Sequence, residues 1–230
     1  MANTISIITP SLNQAQFLPE CLKTVASQRL KPLEHIVLDP GSTDCSRQIA
    51  SQAEGVTLIA EPDKGQSDAI CKGFNMASGD ILAWLNSDDR YPSDSVLQLV
   101  FDRFNQLDRP DVVYGRSQFV DEKGIFLKKA FVNPNAAKLL NTLHYQVGII
   151  QPSVFIHRRV FEAVGGPSDA YDFTMDYEYW VRIHKAGFKW AYLDALLSEH
   201  RWWPGMKTAA QRGPSLAEHL KTVWHHFGYV

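Results

Sequence analysis

An α/β chain built on a mostly parallel central sheet is the fold class the sequence predicts, and three observations predict it. Short apolar runs alternate with stretches of helical periodicity through the first hundred residues, the pattern of parallel strands joined by right-handed crossovers. Polar residues gather where several of those runs end, at the edge where such sheets bind ligands. A chain of 230 residues, 45% apolar and 21% charged, is also long enough to bury one sizeable core. Flanking helices and a small antiparallel addition in the C-terminal half complete the expectation. The whole chain is expected to form one domain, residues 1–115 binding the main ligand and 116–230 its reaction partner.

The elements follow in order. Ile5 to Thr9 is a β-rich run stopped by Pro10-Ser11-Leu12-Asn13, after which Phe17, Leu18, Cys21, Leu22 and Val25 recur at helical spacing. His35 to Asp39 repeats the plan, with Ser42 or Thr43 expected to cap the helix that follows. Thr57 to Ile59 is a third strand. Ser67 or Asp68 is expected to cap the helix carrying Ala69, Ile70, Phe74 and Ala77, and Gly79 to close it.

Ile81-Leu82-Ala83-Trp84-Leu85 is an unbroken apolar run, as in a strand buried on both faces, and it opens onto Asn86-Ser87-Asp88-Asp89. Ser93 is expected to cap an amphipathic helix holding Val96, Leu97, Val100 and Phe104. Val112 to Gly115 reads as a strand, and Gln118-Phe119-Val120 with Ile125-Phe126-Leu127 as a hairpin. Ser153 to Ile156 is a further strand, and Arg159 to Val164 a short helix stopped by Gly165-Gly166-Pro167. A helix buried through Tyr179, Trp180 and Ile183 carries Asp176 in its first turn. The last helix runs from Ser215 to Phe227, its His219, His225 and His226 expected in solvent. Residues 133–150 and 201–214 carry few readable signals.

The chemistry concentrates at the carboxyl edge. Pro10, Ser11 and Asn13 follow the first strand, Asp39 ends the second, and Asp88 and Asp89 follow the fourth. Two adjacent carboxylates repel each other, a cost that a bound cation or ligand donors offset. Alone, the Asn-Ser-Asp-Asp run also suits a polar turn, and Asp176 a helix cap. The glycine-rich phosphate cradles are absent after the first strand, so a diphosphate there needs a carboxylate-held magnesium or manganese ion.

Composition narrows the class. A formal net charge of -2 gives no general attraction to nucleic acid or anionic lipid. Three widely spaced cysteines without a CxxC pair argue against a disulfide framework or zinc ribbon, and fit a reducing cytoplasm. Met1 leads into a strand with no basic n-region or apolar h-region, so no signal peptide is expected, and no run reaches membrane-spanning length.

Taken together, Ser6 to Asn13, Asp39-Pro40-Gly41-Ser42-Thr43-Asp44, Asn86-Ser87-Asp88-Asp89 and Met175-Asp176-Tyr177-Glu178 resemble four motifs of the inverting glycosyltransferases of family 2, in family order and spacing. Glu61 to Ala69 is similar to a branch that acts on bacterial surface polysaccharides. The resemblance implies the GT-A fold, which is Rossmann-like, and transfer from a nucleotide-diphosphate sugar, a UDP-sugar above all, to a glycan or lipid-linked glycan.

It further implies that Pro10, Ser11, Asn13 and Asp39 hold the nucleoside, with Asp39 accepting from the base. Asn86 and Asp88 then meet the ribose or sugar phosphate, Asp89 ligates Mn2+ or Mg2+, and Asp176 is the catalytic base. His200 falls where members place a late histidine near the diphosphate and metal. The family's Ala-Arg-Asn is replaced by Ala69-Ile70-Cys71, so Lys64 or Asp68 must stand in for the base-contacting arginine. Met175 replaces the usual Glu. A cytoplasmic enzyme at the inner membrane face follows from the branch, with peripheral membrane association and a homodimer left open.

Two alternatives stay open. A metal-dependent sugar nucleotidyltransferase shares the sheet and carboxylates but carries a glycine-rich basic loop that Pro10 to Gln16 lacks. A non-catalytic nucleotide-sugar-binding module would have lost the metal or base carboxylate.

Overall fold

The computed structural model describes residues 3–136, 148–207 and 212–228. The weakly patterned stretches at 133–150 and 201–214 therefore lie partly outside the described residues. The strands are β1 (Ile5–Pro10), β2 (Glu34–Leu38), β3 (Val56–Ile59), β4 (Ile81–Trp84), β5 (Val112–Val120), β6 (Phe126–Lys129), β7 (Val154–His157) and β8 (Trp190–Arg201). The helices are α1 (Leu18–Ala26), α2 (Ser46–Gln52), α3 (Gln66–Met76), α4 (Val96–Phe104), α5 (Arg158–Val164), α6 (Met175–Lys185) and α7 (Arg212–Phe227).

One sheet runs β3-β2-β1-β4-β7-β5-β6, with β8 pairing β5. The β1–β2, β1–β4, β2–β3 and β5–β8 pairs are parallel, whereas β7 runs antiparallel to β4 and β5. The expected α/β sheet with an antiparallel C-terminal addition is thus what forms. β4 is buried on both faces: Ile81 and Ala83 enter the core packed by α1 and α4, Leu82 and Trp84 the one packed by α3 and α6. Among the described residues, no helix is long and apolar enough to cross a membrane.

Several local expectations are corrected. None of the expected hydroxyl caps forms, because side chains from elsewhere take the end groups or the hydroxyls are engaged otherwise. Ser42 donates to Asp39 Oδ2 at 2.6 Å, and Cys45 stands at the start of α2. Gly65 opens α3, where Asp68 Oδ2 accepts from Lys64 N at 3.0 Å. Ser95, not Ser93, precedes α4, and Gln28 Oε1, just beyond α1, accepts from Leu97 N at 3.0 Å. Gly79 does not close α3, which ends at Met76 with Ala77 at its C-cap. A Cβ at Gly79 would lie 2.5 Å from Ser6 Oγ, so glycine there permits the close approach of β1.

The strand at Val112 and the first arm of the hairpin are one continuous β5, and the sequence reading missed β8. His226 is also not in solvent; its Nε2 lies 3.2 Å from Glu178 Oε1, and His219 stacks on Tyr177 with ring centroids 4.6 Å apart. His225 is exposed as expected.

Candidate functional site

The carboxyl ends of β1, β2 and β4 open onto a cavity of about 720 Å³, closed on its far side by the start of α6 and the segment after β8. Pro10, Ser11, Asn86, Asp88, Asp176 and His200 all line it. Residues spread over the whole chain therefore meet in one cleft, and the two acids singled out independently, Asp88 and Asp176, face the same space.

The loop after β4 carries the paired acids in unequal settings. Asp88 faces the cavity, and its Oδ2 accepts from Trp203 Nε1 at 3.0 Å. Burial, and after it the charge of Asp89, pushes the Asp88 carboxyl up to about 6. Asp89 sits behind, 1% exposed, its Oδ1 accepting from Arg201 N at 3.0 Å. His200 Nδ1 stands 3.0 Å from that same Oδ1, an ion-pair separation at an angle outside hydrogen-bond geometry. Burial works against the imidazolium. Asp89, Asp88 and Asp176 outweigh it and raise His200 to about 9.

Arg201 clamps this loop. Its Nε donates to Asp88 O at 2.9 Å, its Nη1 to Asp121 O and Glu122 O at 3.0 and 2.8 Å, and its Nη2 pairs with Glu20. Glu20 also pairs with Arg90, which pairs in turn with Glu199.

Asp176 lies in the first turn of α6, where its Oδ1 accepts from Tyr177 N at 2.8 Å. Burial raises its proton affinity above the usual carboxylate range. The helix is anchored beneath β4, Trp84 stacking on Trp180 and Tyr179 at 5.7 and 6.4 Å between centroids. The approach to the helix is held by α7: Glu218 accepts from the backbone N–H groups of Asp172, Phe173 and Thr174 at 2.8, 2.7 and 3.1 Å. The strand leading to Asp88 and the helix bearing Asp176 thus share one aromatic core, which fixes their relative position.

The remaining expected residues stand outside the lining. Asp39 is 1% exposed and accepts from Gly41 N, Ser42 N, Ser42 Oγ and Arg47 Nε, so it shapes the turn around Pro40. Asn13 has a left-handed φ of 54° and accepts from Thr43 N at 2.8 Å, tying the first loop to the second. Asp68 pairs with Lys72 at 3.0 Å, and Lys64 is exposed at the same loop.

Sequence reasoning missed three polar residues. Gln14 lines the cavity, and its Oε1, like Ser11 Oγ, is a buried oxygen without a partner among the described residues. Such atoms are costly unless a ligand donor meets them. Gln66 and Gln151 extend an amide chain along the floor: Gln66 Nε2 donates to Asn86 Oδ1, Asn86 Nδ2 to Gln151 Oε1 and Gln151 Nε2 to Trp84 O, at 2.8, 3.1 and 2.8 Å. A lone Gln carries no sequence signature, though its place after Asn13 on the same loop was a usable hint for Gln14.

A divalent ion fits the donor set in part. Asp88 offers a carboxylate made costly by burial and a like charge, and His200 an imidazole braced by Asp89, as metal-bound histidines are braced. Among the described residues no three His, Cys, Asp or Glu side chains form a ready-made cluster. Ligand oxygens would have to complete the shell.

Residues 6–165 match the family model described as glycosyl transferase family 2. An uncharacterized glycosyltransferase of Rickettsia conorii is 28% identical over 191 residues, which are 79% of this chain and 31% of that protein. The chain therefore spans about a third of that relative's length. S. aureus TarS 1–349, solved in complex with UDP-GlcNAc, superposes with a TM-score of 0.72 at 16% identity, covering 90% of this chain and 61% of the other. Glucosyl-3-phosphoglycerate synthase from Mycobacterium tuberculosis, solved with Mn2+, UDP and glucosyl-3-phosphoglycerate, gives 0.71 at 18% identity over 99% of this chain and 81% of the other. At these identities the two structures establish the fold, GT-A.

Proposed function

The chain belongs to glycosyl transferase family 2, and from that premise we propose that it transfers a sugar from a nucleotide-diphosphate donor to an acceptor hydroxyl with inversion at C1. The observation that carries the reading is that Asp176 and the Asp88–His200 pair line one cleft from different elements. Asp176, its proton affinity raised by burial, takes the proton of the acceptor hydroxyl as that oxygen bonds to C1. The bond from C1 to the diphosphate breaks with its electron pair going to the diphosphate. Attack and departure on opposite faces of the sugar give inversion. His200 lines the same cleft on the side of Asp88, where the leaving diphosphate gathers its charge.

Asp88 and His200 are the residues that would hold Mn2+ or Mg2+, with Asp89 orienting His200. When bound, that ion supplies positive charge to the diphosphate. The solved neighbour with Mn2+ and UDP supports both the ion and a uridine donor. Ser11 and Gln14 offer their unpartnered oxygens to the nucleoside side of the donor. The acceptor is read as a bacterial glycan or lipid-linked glycan, and the enzyme as working at the cytoplasmic membrane face.

Asp176→Asn tests the assignment. Transfer is expected to fall by roughly 10² to 10⁴ while calorimetric donor affinity stays within about threefold. Full activity in this variant removes Asp176 from the base role. Release of nucleotide diphosphate only when acceptor is added separates transfer from nucleotidyl transfer and from mere binding.

A further inference from the structure

We propose that the β5–β6 hairpin is a docking element for an anionic lipid surface. β6 is exposed on every residue, an unusual state for a strand in a sheet otherwise well covered. From 122 to 131, the exposed positions are Glu122, three lysines and four large hydrophobes. Ile125, Phe126, Leu127 and Phe131 are 60, 53, 48 and 56% exposed, enough apolar surface to favour removal from water. Lys123, Lys128 and Lys129 stand between and beside them.

Lysines interleaved with apolar side chains match phosphate headgroups over acyl chains. The Asp121 carboxylate does not oppose them, since its Oδ1 is turned back to accept from Lys123 N and Ile125 N. The same lysines on an edge strand discourage pairing with the strand of a second copy, which leaves the lipid surface as the occupant.

The hairpin is also rigidly wired to the cleft. Arg90 Nη2 donates to Gly124 O at 2.8 Å, and Arg201 joins Asp121 O and Glu122 O to the Asp88 loop. Phe119, which lines the cavity, pairs with Lys128 across the hairpin. Docking here holds the cleft mouth at the lipid surface, where a lipid-linked acceptor presents its sugar. The purpose rests on the acceptor reading above, but the binding does not.

The test is sedimentation of the full chain with phosphatidylcholine vesicles, with and without phosphatidylglycerol, in the absence of donor and acceptor. Binding is expected to require phosphatidylglycerol and to weaken with salt. It should drop more than tenfold in Lys128→Glu/Lys129→Glu and in Phe126→Ser/Leu127→Ser, with circular dichroism and donor affinity unchanged. Equal binding by the variants and the native chain, or none to anionic vesicles, overturns the proposal. So does a dimer that these substitutions turn into a monomer, which would make the hairpin a self-interface. Vesicle binding without sugar transfer would instead count against the function proposed above and leave the docking surface standing.

Discussion

The rim built by the loops after β1 and β2 and the part of the cleft built by the Asp88 loop and α6 are held by different kinds of bond. At that rim, two neighbouring loops hold each other many times over. Asp39 takes four donors from Gly41, Ser42 and Arg47, Asn13 and Ala15 bond to Ser42, Thr43 and Asp44, and Gln14 N donates to Ser46 Oγ. On the other side, the approach to Asp176 hangs on the Glu218 carboxylate, 46 residues from Asp172, and the Asp88 loop on Arg201. Redundant short-range bonding should tolerate single losses that sparse long-range bonding cannot.

Four measurements break or sharpen that contrast, in falling order of effect. Arg201→Met strips a buried cation from Glu20 and three carbonyls, and should cost about 3 to 5 kcal/mol in urea unfolding. A loss under 1 kcal/mol would mean the clamp is as redundant as that rim.

Lowering the pH probes the strands beneath that rim, where burial pulls the His35 pKa from 6.5 down to about 4 and Thr9 Oγ1 lies 2.9 Å from its Nε2. The unfolded chain binds this proton at higher pH than the folded one. The stability from the neutral ring is therefore full above pH 6.5 and is lost as pH falls towards 4, by about 3 kcal/mol. His35→Asn should flatten that interval in a pH series of unfolding curves. An unchanged slope would assign the acid loss to carboxylates instead.

Glu218→Gln should lower kcat about tenfold with the donor KM within twofold, and Glu218→Asp should recover part of it. A matched rise in KM would show that α7 shapes donor binding, not the base. Smallest is Ser42→Ala, expected to cost about 1 kcal/mol of stability and to leave donor affinity within about twofold. A tenfold loss of affinity there would erase the contrast.

The same contrast explains what was legible in the sequence. The α/β order, the doubly buried β4 and the gathering of Ser11 and Asp88 at one edge follow from periodicity and local composition, whereas Asp176 joined them only through the family resemblance. The expected cap of α4 failed because its partner, Gln28, comes from another element, and that of α2 because Asp39 engages Ser42. β8 escaped notice because Trp190 to Arg201 holds no β-branched residue and its register with β5 shifts near Arg116. Asp89 and Asp39 read alike as ligand carboxylates, and only the structure shows that Asp89 also accepts from Arg201 N and Asp39 from its own turn. Glu218 looked like any charged residue of an amphipathic helix, and only the tertiary structure shows its three backbone donors.

Arg201 also sets a timetable. Asp89 is translated 112 residues before the guanidinium-bearing residue whose N–H it accepts. At ordinary synthesis rates of about 5 to 20 residues per second, that is roughly 6 to 20 seconds. Through that interval β5 lacks its parallel neighbour and the two acids lack their anchor. The nascent chain thus leaves the ribosome with its first four strands able to assemble and its reactive centre still unmade.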